Sequence, residues 1–168
     1  MGRRQITFEI GKLPDDRWRD YRRLRLEALR SNPLAFRHSY GEERGLPESE
    51  WRTRIHRVIF ATANGRPVGM IGYGFGDTAK TRHVAELDSF YVRDACRGNG
   101  IGDELFRAAV NHIRDDRGAD KIKLIVNAEQ KAAIRLYRKE GFAVVGRLRR
   151  EARFGNRFYD KLIMERLF

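Results

Sequence analysis

The chain has 168 residues, 41% of them hydrophobic and 35% charged, with a formal net charge of +12. That length suits one domain around one core, and no apolar run approaches the roughly 20 residues a membrane-spanning helix needs. The basicity is open to three readings: nucleic-acid binding, attraction of a smaller polyanion such as a phosphorylated cofactor, or an arginine-rich solvated surface. No zinc-finger, basic-zipper or RNA-binding-sheet motif accompanies it, so nucleic acid is not the expected main partner.

In chain order, "RQITFEI" (4–10) alternates as a strand does. "PDDRWRDYRRLRLEAL" (14–29) has helical spacing, with Trp18, Tyr21, Leu24 and Ala28 on one apolar face and Asp15 or Asp16 near its start. "NPLAF" breaks it, and "PESEWRTRI" (47–55) opens with proline and acidic residues, which suits a second short helix. "VIFATA" and "PVGMIGYGF" flank Asn64-Gly65, a hairpin signal. "HVAELDSFYV" (83–92) is a further strand, and "GIGDELFRAAVNHIRDD" (100–116) an amphipathic helix carrying Ile101, Leu105, Ala108 or Ala109, and His112 or Ile113. "KIKLIV" (121–126) is a strand and "EQKAAIRLYRKE" (129–140) a helix, with Gly141 placed for a left-handed C-terminal cap. "FAVVGRLRR" and "RFYDKLIMERL" close the chain as strands. Antiparallel strands followed by strand–helix–strand–helix predict a mixed α+β fold with one parallel step, in a single domain over 1–168.

The N-terminus lacks the apolar stretch of a secretory signal, and Cys96 alone rules out an intrachain disulfide. Both fit a reducing, cytoplasmic compartment. His38, His56, His83 and His112 show no ligand spacing, so no metal is expected. Thiol catalysis at Cys96 would need an activating base, and no histidine adjoins it; Cys96 reads as a small buried residue.

The densest signal is "YVRDACRGNGIGDELF" (91–106). A strand runs into a glycine-rich turn and then a helix. Free N–H groups at a helix start attract anions, glycine lets a phosphate approach the backbone, and Arg97 adds charge. Alone, the glycines are equally well read as a turn that needs permissive residues. The spacing is neither a P-loop nor a dinucleotide fingerprint.

Two stretches together, "ELDSFYVRDACRGNGIGDELF" and "KLIVNAEQKAAIRLYRKEGF", resemble the GNAT superfamily of N-acetyltransferases. The family's acyl-CoA signature, Gln/Arg-x-x-Gly-x-Gly/Ala, is matched by Arg97-Gly98-Asn99-Gly100-Ile101-Gly102. Its second signature is matched by Ala133-Ile134-Arg135-Leu136-Tyr137 leading to Gly141-Phe142, in the right order and at the right separation. The ending "FGNRFYDKLIMERL" is similar to that of many bacterial members, with Phe158 where Tyr is usual and Tyr159 beside it.

The resemblance implies a twisted, mostly antiparallel mixed sheet whose two parallel middle strands splay apart, flanked by helices, with acetyl-CoA in the opening. It places the pyrophosphate on 97–102 and the pantetheine arm along backbone at Phe90, Tyr91 and Val92. It implies direct acetyl transfer to an amine, with Glu86 as general base and Tyr137 as the acid for the departing thiolate. Asp88 shares a strand face with Glu86, and either is base or substrate anchor; the competing reading is a salt-bridged strand carboxylate. Where many members carry Asn, position 130 is Gln130, and Asn127 lies three residues earlier; the cofactor-holding amide falls to one of them. For Tyr137 the competing reading is packing between helix and sheet.

The acceptor pocket is expected from the N-terminal helices and the turns near the last strands, with Phe36, Tyr40, Asp88 and Tyr159 as candidate contacts. The +12 charge argues against a polycationic acceptor, unless Glu42, Glu43, Glu48 and Glu50 form a local acidic patch, and sits better with a carboxylate-bearing one. The leading expectation is a small-molecule N-acetyltransferase, acting on an amino acid or an antibiotic-like amine. The alternatives are protein N-terminal or lysine acetylation, or a non-catalytic CoA- or nucleic-acid-binding module. The family resemblance also suggests a homodimer.

Overall fold

A computed structural model describes residues 6–116 and 118–168 of the chain. Its seven strands lie in one mixed sheet in the order β1-β2-β3-β4-β5-β7-β6. They are β1 (Glu9–Gly11), β2 (Val58–Ala63), β3 (Arg66–Phe75), β4 (Val84–Val92), β5 (Lys121–Asn127), β6 (Ala143–Phe154) and β7 (Arg157–Leu167). The helices are α1 (Trp18–Ser31), α2 (Tyr40–Glu43), α3 (Glu48–Ile55), α4 (Ile101–Asn111) and α5 (Lys131–Lys139). Packing groups the chain into two units, residues up to Gly72 with Ser89–Ala109, and Tyr73–Asp88 with Val110–Phe168.

In the first unit α1 buries Trp18, Tyr21, Leu24 and Ala28, the face its spacing predicts. Tyr21 stands edge-on to Trp51 of α3 and to Phe60 of β2, at ring-centre distances of 5.5 and 5.7 Å. Trp51 is wholly enclosed. Burying one such side chain contributes roughly 1.5–3 kcal/mol, so this cluster anchors α1 and α3 to the sheet. Asn64 and Gly65 both have positive φ, 49° and 71°, as the two-residue turn joining β2 to β3 requires. The first strand is shorter than expected. Only Glu9–Gly11 pairs with β2, Ile6–Phe8 is not strand, and Arg4 and Gln5 lie outside the described residues. Helix α2 goes beyond the expected elements. Its signal was present in the sequence as Ser39-x-x-Glu42, which forms a reciprocal capping box.

In the second unit β4 and β5 form the parallel step, from Val84 opposite Lys121 to Leu87 opposite Leu124. The ladder ends there, although β4 runs on to Val92 and β5 to Asn127. β5 pairs antiparallel with β7 over its whole length, and β7 with β6. Gly141, at φ 86°, caps α5 as predicted, and a Cβ there would meet the Arg166 side chain at 3.2 Å. The helix expected to reach residue 116 is regular only to Asn111 and then widens into a π-type turn over His112–Asp116. His112 Nε2 lies 3.0 Å from the Tyr73 hydroxyl. The architecture is the mixed, mostly antiparallel sheet with one parallel pair and flanking helices that the element order predicts.

Candidate functional site

Strand β4 carries five of the predicted site residues, Glu86, Asp88, Phe90, Tyr91 and Val92. Ala85 and Leu87 point into the core, so Glu86 and Asp88 fall on the opposite face. Glu86 is 42% exposed and lies opposite Lys123 of β5, whose ammonium is 3.1 Å from its carboxylate. The geometry therefore contains the ion pair of the competing reading, without removing the carboxylate from solvent. Asp88 is exposed.

At the next residue β4 kinks. Ser89 takes φ 54°, a left-handed conformation that costs a non-glycine residue about 1–2 kcal/mol. Arg25 of α1 donates from Nη1 to Ser89 Oγ at 2.9 Å, so it holds the kink. The same guanidinium makes two parallel bonds to Glu43, at 2.9 and 2.8 Å, with both side chains nearly sealed from solvent. Burial alone would raise the Glu43 carboxyl; the Arg25 hydrogen bonds and charge outweigh it and hold Glu43 below the usual carboxylate range. Arg25 also stacks on Phe36, 4.9 Å from the ring centre.

Beyond the kink, Phe90 stands edge-on to Phe106 of α4, while Tyr91 and Val92 are buried. The Tyr91 hydroxyl donates to Glu27 at 3.1 Å and lies 3.3 Å from Ser31 Oγ. Burial, with Glu27 beside it, pushes the Tyr91 phenol above its usual range. Arg93 grips Glu27 through Nε and Nη2.

In the turn that follows, Gly98 and Gly100 have φ 76° and 78°, which only glycine adopts without strain. Gly102 is different: its φ is not positive, and a Cβ would meet the Phe90 ring at 3.5 Å, an ordinary contact. The first backbone bond of the helix runs from Glu104 N–H to Gly100 C=O, and among the described residues the N–H groups of residues 98–102 make no such bond. They remain available to an anion at the helix start. Asn99 turns inward, its amide donating to the Cys96 and Arg97 carbonyls. Arg97 donates to the Val92 carbonyl at 3.0 Å and pairs with Asp94 at 2.9 Å. It therefore shapes the loop, and Asp94 offsets its charge. Cys96 is partly exposed in this turn, a correction to the buried position expected of it: the wide glycine loop leaves it uncovered.

Asn127, Gln130, Tyr137 and Tyr159 belong to the second unit, and Phe36 and Tyr40 to the first. Asn127, at the end of β5, is 4% exposed, and its Oδ1 accepts the Glu129 N–H at 2.9 Å. It builds the turn into α5. Gln130 precedes that helix without capping it and is half-buried. Tyr137 is buried on α5, and burial pushes its phenol well above the ordinary range. Tyr159 is 7% exposed beneath the Arg157 guanidinium, while neighbouring Phe158 is 44% exposed under Arg150. Phe36 is also buried, edge-on to Tyr91. Of the aromatic acceptor candidates, Tyr40 lines an open groove. No group of three or more metal-ligating side chains occurs among the described residues. No described helix is long and apolar enough to cross a membrane.

Residues 90–102 thus form one continuous segment, and Phe36, Arg25, Glu43 and Ser89 gather around its start. Sequence reasoning passed over Arg25, Ser89 and Lys123, and weighed Glu43 only as part of an acidic patch. A signal for Arg25 existed: it lies four residues after Tyr21 and three before Ala28, on the buried face of α1.

A strand that feeds a glycine turn with unused N–H groups at a helix start is an arrangement suited to an anion. The chain belongs to the acetyltransferase (GNAT) family, whose model matches residues 16–142. The family's co-substrate is acetyl-CoA, and the turn geometry fits its phosphates. An uncharacterized N-acetyltransferase of Methanocaldococcus jannaschii is 35% identical over 81 residues, 47% of this chain and 35% of that protein. A mycothiol acetyltransferase of Corynebacterium glutamicum is 41% identical over 66 residues, 38% of this chain and 22% of that protein. The chain therefore matches about a third or less of the length of these relatives. The fold is also that of a putative acetyltransferase of Salmonella typhimurium solved with its cofactor acetyl-CoA. The TM-score is 0.82 at 18% identity, covering 96% of this chain and 94% of that one.

Proposed function

We propose that this protein is an acetyl-CoA-dependent N-acetyltransferase that transfers the acetyl group directly to a primary amine of a small molecule. The observation that carries the reading is the turn at 97–102, where left-handed Gly98 and Gly100 leave a row of N–H groups unbonded at the start of α4. In this reading those N–H groups bind the cofactor's pyrophosphate, and backbone at Phe90, Tyr91 and Val92 takes its pantetheine arm. Asn127 shapes the turn after β5, which leaves Gln130 as the amide that contacts the cofactor.

Bound acetyl-CoA supplies the acyl group as an activated thioester. Glu86, partly exposed and paired with Lys123, takes the proton that an ammonium must lose before its nitrogen can attack. Asp88, on the same face, anchors the acceptor. Tyr137 keeps its phenolic proton across the physiological range because burial disfavours the phenolate, so Oη has a proton for the leaving sulfur. The protein acts in the cytoplasm as a single-domain homodimer. Exposed Val144 and Val145, on the edge strand β6, support pairing through the C-terminal strands.

Calorimetric titration with acetyl-CoA, CoA and dephospho-CoA tests the reading. Saturable micromolar binding is expected, weakened at least about tenfold by Arg97→Glu, which removes the loop's side-chain bond to the Val92 carbonyl and places a second anion beside Asp94. Release of CoA on adding primary amines should follow. No binding at millimolar acetyl-CoA would overturn it.

A further inference from the structure

One side of α1, at the margin of the core, forms one wall of an open groove of about 580 Å³. Arg22, Leu26 and Arg30 follow one another at four-residue steps along it, with Glu27 and Ser31 in the adjacent row and Tyr40 of α2 opposite. Leu26 and the Tyr40 ring give it an apolar surface. The cations and the single carboxylate are unevenly matched. Glu27 is fully engaged, gripped by Arg93 and bonded by the Tyr91 hydroxyl. Arg22 gives one N–H to the Arg44 carbonyl. Arg30 lies over the Tyr40 ring at 5.1 Å. Among the described residues neither Arg22 nor Arg30 has a carboxylate partner, and Arg23, also in the lining, has only Asp20 at 3.5 Å.

Arg22 and Arg30 stand two helical turns apart along a half-apolar groove, one held by a backbone carbonyl and one over a ring, and each guanidinium has N–H donors suited to a carboxylate. The α1 wall is joined to the segment proposed to bind the cofactor, because Ser31 and Glu27 both meet the Tyr91 hydroxyl. We propose that this groove is an anion subsite in which Arg22 and Arg30 bind the carboxylate of the amine acceptor, so that the acceptor class is an amino acid or a similar amine bearing an acid group. The inference rests on the N-acetyltransferase reading for the acceptor, but the subsite is testable without turnover.

The direct probe is succinate, followed through the side-chain Nε–H resonances of arginine in the whole protein, with 3′,5′-ADP as the cofactor-derived anion. Succinate is expected to shift the Arg22 and Arg30 signals saturably and to bind at least tenfold more weakly to an Arg22→Gln/Arg30→Gln variant. 3′,5′-ADP is expected to move the backbone signals of residues 98–102 instead. Absence of a succinate effect at these arginines overturns the proposal. So does tighter binding of 3′,5′-ADP at the same two side chains, which would give the groove to the cofactor. The turnover arm compares amino acids with their amides. The acids should show a KM at least tenfold lower, and the ratio should fall towards one in the double variant. Equal KM values for acid and amide overturn the acceptor assignment. Succinate binding without turnover of any amine would leave the anion subsite standing and defeat the transferase reading.

Discussion

At the scale of single residues, Glu86 and Glu43 show how much a carboxylate's partner decides. Glu86 is solvent-accessible and ion-paired at a strand position, an exposed pair of the kind that adds little stability. Its value is therefore chemical in the proposed reaction. Glu86→Gln is expected to lower kcat by about 100-fold or more with acetyl-CoA affinity unchanged, read by CoA release and calorimetry. An unchanged kcat would leave Glu86 with only its ion pair to Lys123. Glu43 is the opposite case. Its bidentate pair with Arg25 is buried, so Glu43→Gln strands a buried cation and should destabilise the protein by about 3–5 kcal/mol in denaturant titration. The pH dependence follows from the lowered carboxyl. The contribution is present above the unfolded value of about 4.3 and is lost as pH falls through the lower folded value. The variant should lose that part of the acid sensitivity.

At the scale of elements, the glycine turn separates conformation from space. Gly100 has φ 78° and nothing within 4 Å of a Cβ position. Gly100→Ala therefore costs only the left-handed strain, about 1–2 kcal/mol, or a few degrees of Tm, and should weaken acetyl-CoA as the loop relaxes. Gly102→Ala adds a methyl in ordinary contact with Phe90 and should leave Tm nearly unchanged. Equal effects at the two positions would mean that packing, not backbone conformation, selects glycine here. The same scale shows why element boundaries moved. β1 is cut to three residues because only Glu9–Gly11 finds a partner in β2, and alternation alone cannot state where a neighbour ends. α2 is four residues long, too short for a periodic apolar pattern, and only its capping box marks it.

At the scale of the whole molecule, the single-domain proposal predicts one cooperative unfolding transition by scanning calorimetry, with calorimetric and van't Hoff enthalpies in agreement. Two resolved transitions would mean that the two packing units fold separately. The net charge of +12 acts at this scale too, as a field that draws in an anionic cofactor and weakens with added salt.

Local features were legible in the sequence itself because their causes lie within a few residues. Asn64-Gly65 makes the hairpin, Gly141 ends its helix, the face of α1 is a matter of spacing, and Arg97–Gly102 marks the turn. The tertiary structure alone decided which of the marked residues are open to a ligand. It buried Phe36 and Tyr159, left Tyr40 beside a groove, and committed Asn127 and Arg97 to shaping turns. It also set Arg25 against Glu43, 18 residues away, and Ser89, 64 residues away. Such contacts depend on how the chain closes on itself. A residue's local pattern says that it is buried; which distant partner meets it is decided only when helix and sheet pack.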